Sequence, residues 1–132
     1  MKKVLILAMI ILLASCEGES SEIHLVKNIF LSHNGDDRNS GYEIVKKIDV
    51  HNYEGLIDDY AREVYCDSTN IFVKTEYGTN LHFFYHISFR KSMEPVVLTI
   101  PEHRFIEKVK QCNSCKSFKI HLDTVAGKWI VK

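Results

Sequence analysis

The sequence predicts an α+β domain: a single small domain with an antiparallel, meandering β-sheet packed by one amphipathic helix in its C-terminal half. Three observations predict it. Period-two alternation recurs along the chain, most clearly at Leu81, Phe83, Tyr85, Ile87 and Phe89, five apolar residues on one face. Short polar turn sequences, Asp67-Ser68-Thr69-Asn70 and Tyr77-Gly78-Thr79-Asn80, stand between such runs. One stretch alone changes to helical spacing, with Phe105, Val109 and Cys112 at i, i+4 and i+7 and Ile106 widening the stripe.

Taken in order, Ile23 to Leu31 reads as a strand, and Asn34 to Gly41 as a polar loop. Tyr42, Ile44, Ile48 and Val50 then share one strand face, interrupted by Lys46, while Glu43, Lys47 and Asp49 take the other. Tyr53 to Tyr60 fits either one helical turn or an ordered loop, and we take the short helix. Arg62–Cys66 and Ile71–Thr75 flank the Asp67–Asn70 turn as a hairpin, and the long strand at 81–89 follows. Val96, Leu98 and Ile100 give a short strand. Thr99-x-x-Glu102 has the form of a capping box, with Pro101 in the first turn, where its missing N–H costs nothing. Phe118, Ile120 and Leu122 make a further strand, and Lys128 to Val131 a weak terminal one. Phe83, Tyr85, Ile87, Phe105 and Val109, on the two strongest periodic faces, are expected to point inward. Residues 23–132 suffice for one core and contain no linker or repeat.

The N-terminus carries a different kind of information. Lys2 and Lys3 precede Val4–Leu13, a run made only of Val, Leu, Ile, Ala and Met, which is too short for the roughly 20 apolar residues of a spanning helix. Small residues Ala14 and Ser15 then lead to Cys16. Leu13-Ala14-Ser15-Cys16 resembles the bacterial lipobox. That resemblance implies a signal peptide over 1–15, cleavage before Cys16, and a diacylglycerol plus an N-acyl chain (palmitate or similar) on Cys16. One acyl chain binds a membrane only marginally, whereas two or three anchor it durably. The chain would then be lipid-anchored and extracytoplasmic, in the outer membrane or at the cell surface of a Gram-negative cell, or on the outer face of the cell membrane otherwise. Residues 16–22, Cys-Glu-Gly-Glu-Ser-Ser-Glu, read as a flexible acidic tether. Acidic residues behind a lipidated cysteine also resemble the surface-export signals of Bacteroidetes-type lipoproteins.

Charge bounds the partners. Lysine plus arginine and aspartate plus glutamate each number 17, so loss of Lys2 and Lys3 leaves the chain slightly acidic. Nucleic-acid binding wants a basic domain, and a grip on anionic headgroups wants a polybasic cluster; neither is expected here.

Gly41-Tyr42-Glu43-Ile44-Val45, Glu63 to Lys74, Phe83-Phe84-Tyr85-His86-Ile87 and the proline–strand–helix element of Glu94 to Lys110 resemble a family of small bacterial lipoproteins of unknown function. The resemblance lies in pattern and spacing, and the cysteines and the tail after Cys112 depart from it. It implies the fold and the anchor but no chemistry.

Of the 4 cysteines, Cys66, Cys112 and Cys115 remain beyond the lipidation site. Outside the cytoplasm a structural disulfide is expected, Cys112 to Cys115 or Cys66 to either one. A redox-active pair needs a thiol at a helix N-terminus, yet Cys112 and Cys115 follow the helix. A metal reading would use Cys112, Cys115 and His121 but lacks a second pair at ligand spacing. Lys116 follows the pair where haem attachment needs His. His82 and His86 fall roughly 13 Å apart on a strand, too far to share an ion, and read as surface residues beside Ser88 and Arg90. Asp36-Asp37 and Asp58-Asp59 read as solvated loop acids. No phosphate loop or nucleophile elbow appears, and no cofactor or enzyme activity is expected.

The expected function is therefore a lipid-anchored envelope protein that acts as a binding or interaction module for a protein partner, an immunity-type protein being one specific form. The alternative is an envelope-structural or stress lipoprotein without a discrete ligand. Anchoring is directly testable. Cys16→Ala should abolish labelling by a fatty-acid probe and release the protein from the membrane fraction; identical partitioning of mutant and wild type would refute the anchor.

Overall fold

The computed structural model describes residues 21–33, 41–78, 80–91 and 93–132. Among the described residues the chain forms two antiparallel sheets and one helix. Strands β1 (Ser21–Val26), β2 (Ile29–His33), β3 (Glu43–Lys47) and β4 (Tyr53–Gly55) form a four-stranded meander. Strands β5 (Tyr60–Cys66), β6 (Ile71–Tyr77), β7 (Leu81–Phe89) and β8 (Pro95–Ile100) continue as a second meander. Helix α1 (Glu102–Gln111) then leads to β9 (Lys116–Asp123) and β10 (Lys128–Val131), giving a six-stranded sheet in the order β10-β9-β5-β6-β7-β8.

The larger sheet is covered on both faces. On one face, Ala61, Val64, Cys66, Ile71, Val73, Ile87 and Ile120 pack against Leu25, Val26, Ile29, Leu31, Tyr42 and Ile44 of the smaller sheet. Ile29, Leu31, Ile44, Ile71 and Ile87 are fully buried there. On the other face, Phe105 of α1 sits on Phe72 and Phe84, with Tyr65, Ile100 and Val109 around them. The Phe105 ring lies 5.0 Å from that of Phe84 and meets Tyr65 edge-on at 5.9 Å, centroid to centroid. Such tilted and edge contacts suit the charge distribution of aromatic rings.

The helix is also the crossover. β9 joins the sheet beside β5, with three strands between it and β8, so the chain must return across a face. A connection of that kind needs a dozen or more residues and is usually helical. At the α1 start, Pro101 takes the N-cap position in extended conformation without a side-chain cap, and Glu102 supplies the acidic first turn. The predicted capping box does not form, because Thr99 is still paired with Tyr85 in the β7–β8 ladder.

Several further expectations are corrected. The apolar run at 23–31 is a hairpin and not one strand: the chain turns at Lys27, whose φ is 52°, and β1 and β2 pair with a bulge near His24. Apolar residues on both sides of the turn hide it. Ser21 and Glu22, assigned to the tether, pair with His33 and Ser32. β3 stops at Lys47, so Ile48 and Val50 are exposed in a turn that the Asp49 carboxylate organises by accepting from the His51 and Asn52 N–H groups. Tyr53 to Tyr60 is not a helix: Tyr53–Gly55 pairs with β3 as β4, and Leu56–Asp59 then crosses to the second sheet. The predicted single sheet is thus two.

The inward set divides. Ile87 and Phe105 are buried but in different cores, on opposite faces of the six-stranded sheet, while Tyr85 and Val109 are half-buried. Phe83 is 39% exposed, and Ile106 points to solvent. The helix covers the face of β7 that carries Phe84 and His86, not the five-residue stripe. Truncation should therefore separate these residues. Phe105→Ala is expected to cost about 3–5 kcal/mol and Ile87→Ala about 2–5 kcal/mol. Phe83→Ala should cost only about 1 kcal/mol. Denaturant unfolding of the purified protein measures all three, and equal losses for Phe83→Ala and Phe105→Ala would contradict this packing.

Candidate functional site

The stripe that the helix leaves alone ends in a recess. Tyr77, Phe83 and Tyr85 lie on the face of β6 and β7 that packs against the smaller sheet; Tyr85 borders the shared core, while Tyr77 and Phe83 remain exposed. Thr75 pairs with Phe83 and Tyr77 with Leu81 in the β6–β7 ladder, which fixes this alignment. Gly78, with φ 67°, makes the turn between the strands in a conformation that glycine adopts without strain. Leu56, Ile57, Asp58 and Asp59, on the connection between the sheets, close the other side. The resulting cavity holds about 390 Å³ and opens to solvent.

Hydrogen bonds set its chemistry. Tyr85 donates its hydroxyl to Asp59 Oδ2 at 2.9 Å. Thr75 Oγ1, fully buried, lies 3.4 Å from the same oxygen and 3.3 Å from the Phe83 carbonyl, so one proton serves two acceptors. Burial, and then the Asp59 carboxylate, push the Tyr85 phenol up to about 12, which keeps it neutral and donating at physiological pH. Asp59 is thereby held in place, while Asp58 is exposed beside it. Among the described residues neither carboxylate has a lysine, arginine or histidine in ion-pair contact. The recess therefore combines aromatic walls with uncompensated negative charge. Sequence reasoning treated Asp58-Asp59 as solvated acids and missed it. The available signal was an acid pair entering a strand beside a hairpin whose tip is rich in aromatic residues.

A second polar group gathers at the C-terminal end of α1. Cys112 and Cys115 are disulfide-bonded with Cα atoms 5.5 Å apart, closing the turn between α1 and β9. The bond fits the local alternative among the expected pairings. Cys66 is free and 2% exposed, its Sγ directed at the Leu25 carbonyl inside the sandwich, on the opposite side of the sheet from α1. Burial raises its thiol above the ordinary value, so it is a poor nucleophile.

The hairpin turn between β5 and β6 lies against this disulfide, with Cys112 Sγ 3.6 Å from Asp67 Oδ2. A bonded sulfur has no proton to donate, so the contact is one of packing. Burial alone would raise the Asp67 carboxyl, but hydrogen bonds from the Thr69 and Asn70 backbone and side chains outweigh it and hold it below the usual range. The ligand atoms of Asp67, Cys112 and Cys115 lie within 4.8 Å of one another. His121 is exposed on β9 and outside this group, so the disfavoured cysteine–histidine ligand set is not assembled. With both sulfurs in the disulfide, the group has no thiolate to offer a metal.

His86 is corrected from a surface residue. It stacks on Phe72, 4.7 Å between centroids, and its Nε2 is 2.8 Å from Asn70 Oδ1. Desolvation, then the nearby Lys108 charge, lower its pKa against the opposing pull of Asp67. His82 accompanies it on β7 and contacts the Thr75 carbonyl at 3.2 Å. Cys16 and Asp36-Asp37 lie outside the described residues.

Among the described residues no helix is long and apolar enough to cross a membrane. The chain matches no family model, no curated protein and no solved structure.

The cysteine assignments carry a test. Peptide mapping without reduction should return Cys112 joined to Cys115, with Cys66 alkylated only after denaturation. So short a loop contributes about 2 kcal/mol on the chain-entropy model, and Cys112→Ser with Cys115→Ser should lower stability by that order. A bond from Cys66 to either partner would overturn the assignment.

Proposed function

We propose that this protein is a lipid-anchored, extracytoplasmic bacterial envelope protein whose folded domain is a binding module for another protein. The carrying observation is the uncovered end of the β6–β7 hairpin. Tyr77 and Leu81 there are 62% and 60% exposed, and Phe83 opens into the adjoining recess. Contiguous exposed apolar and aromatic side chains beside a concave, partly polar feature mark interaction surfaces more often than they mark idle surface. Tyrosine in particular brings large contact area with a polar tip.

The lipobox-like Leu13–Cys16 segment supports the anchor, and the slightly acidic balance of the mature chain favours a basic partner surface over an anionic one. The acyl chains on Cys16 hold the domain at the membrane, where a partner in the same envelope meets it at high local concentration.

In-cell crosslinking tests this reading. A photo-crosslinking residue placed at Leu81 of the full chain should yield a discrete protein adduct, and one placed at Lys108 on the exposed side of α1 should not. Equal, diffuse labelling from both positions would argue for a structural lipoprotein without a defined ligand.

A further inference from the structure

Three of the protein's own cations repeat one arrangement. Lys47 pairs with Glu22 at 3.6 Å while lying 5.3 Å from the Phe30 ring centre and 5.6 Å from that of Tyr53. Arg62 pairs with Glu76 and stacks over Trp129 at 4.5 Å. Lys119 pairs with Glu63 at 3.7 Å and lies 5.7 Å from the Tyr65 ring centre. In each case a carboxylate and an aromatic face together hold one ammonium or guanidinium group. The carboxylate supplies charge and the ring supplies its negative face.

The recess at the end of the β6–β7 hairpin presents the same pairing with no cation from the described residues. Asp58 and Asp59 line it together with Tyr77 and Phe83. Asp59 is already oriented by Tyr85, so little ordering remains to be done on binding. Leu56 and Ile57 line the interior, where an aliphatic stem would lie. The volume of about 390 Å³ accommodates one long side chain.

We propose that this recess receives a lysine or arginine side chain of a partner protein, its cationic head between the Asp58 and Asp59 carboxylates and the rings of Tyr77 and Phe83. The occupant is a protein and not a free amine because the exposed Tyr77 and Leu81 extend the apolar surface past the mouth of the recess, and a small amine would leave them uncovered. This proposal rests on the binding-module reading and specifies its partner chemistry.

The test uses the full chain purified in detergent micelles with isotope-labelled aromatic rings. It is titrated with three blocked tripeptides, Gly-Lys-Gly, Gly-Arg-Gly and Gly-norleucine-Gly, and with n-butylamine. Saturable shifts of the Tyr77 and Phe83 ring signals are expected with the lysine or arginine peptide. Binding of the norleucine peptide should be weaker by about tenfold or more. Asp58→Asn and Tyr77→Ala both alter exposed side chains and should each weaken the cationic peptide by a similar factor, with unfolding midpoints unchanged. Equal binding of norleucine, no saturable shift with either cationic peptide, or undiminished binding by Asp58→Asn overturns the proposal. Butylamine binding as tightly as the lysine peptide overturns the choice of a protein occupant. A Leu81 crosslink that persists in Asp58→Asn removes the cation site while leaving the binding module standing.

Discussion

A strand that is apolar on both faces has to be covered on both, and β6 and β7 are such strands. Ile71, Val73 and Thr75 alternate with Phe72 along β6, and Ile87 lies on the opposite face from Phe84 on β7. No one-sided packing could keep Ile71 and Phe72 from water together, because successive side chains point to opposite faces of a strand. The smaller sheet covers one face and α1 the other. The order of the described elements follows: β1 to β4 make one cover, β5 to β8 make the sheet with its two apolar faces, and the helix makes the second cover on its way back to β9.

Covering the second face with a crossover helix concentrates connections at one end of the molecule. The end of α1, the start of β9 and the β5–β6 turn meet there, since Cys66 pairs with Lys116 and Asp67 adjoins both. The Cys112–Cys115 bond fixes the direction in which the chain leaves the helix and enters the sheet. The alternative bond to Cys66 is blocked by geometry: Cys66 faces the sandwich while Cys112 stays on the helix side, so the sheet itself separates the sulfurs. Chain entropy alone would favour the longer loop, but side-chain direction decides.

Much of the larger sheet was legible from period-two alternation and turn chemistry. The hairpin at Asp67–Asn70, the long strand at 81–89, the helix and the strand around Ile120 all stand where the pattern puts them. Alternation fails where a strand is apolar on both faces, because the eye follows one stripe and assigns the other to solvent. That is why His86, which lies on the α1 side of the sheet with Phe84, reads as a surface residue. The hairpin at Lys27 was illegible for a related reason: no glycine or proline marks it, and Lys27 takes positive φ without a diagnostic residue type. The proposed anchor, in contrast, rests on a linear pattern, Leu13–Cys16, and needs no fold to be read. The recess needs three separate segments to meet, and no spacing along the chain encodes that meeting.

The recess itself is a consequence of unequal lengths. β7 has nine residues, whereas β2 and β3 of the smaller sheet have five each. At about 3.3 Å per residue β7 is longer than either by roughly 13 Å. Filling that gap with more strand would have buried Tyr77, Leu81 and Phe83 and left no opening. Instead the crossing segment Leu56–Asp59 runs beside it and brings two carboxylates to the edge of an aromatic surface. An apolar overhang bordered by charge is a poor contributor to stability, since Tyr77 and Leu81 remain in water. Its presence is physically intelligible if the missing cover arrives from outside, carrying the opposite charge.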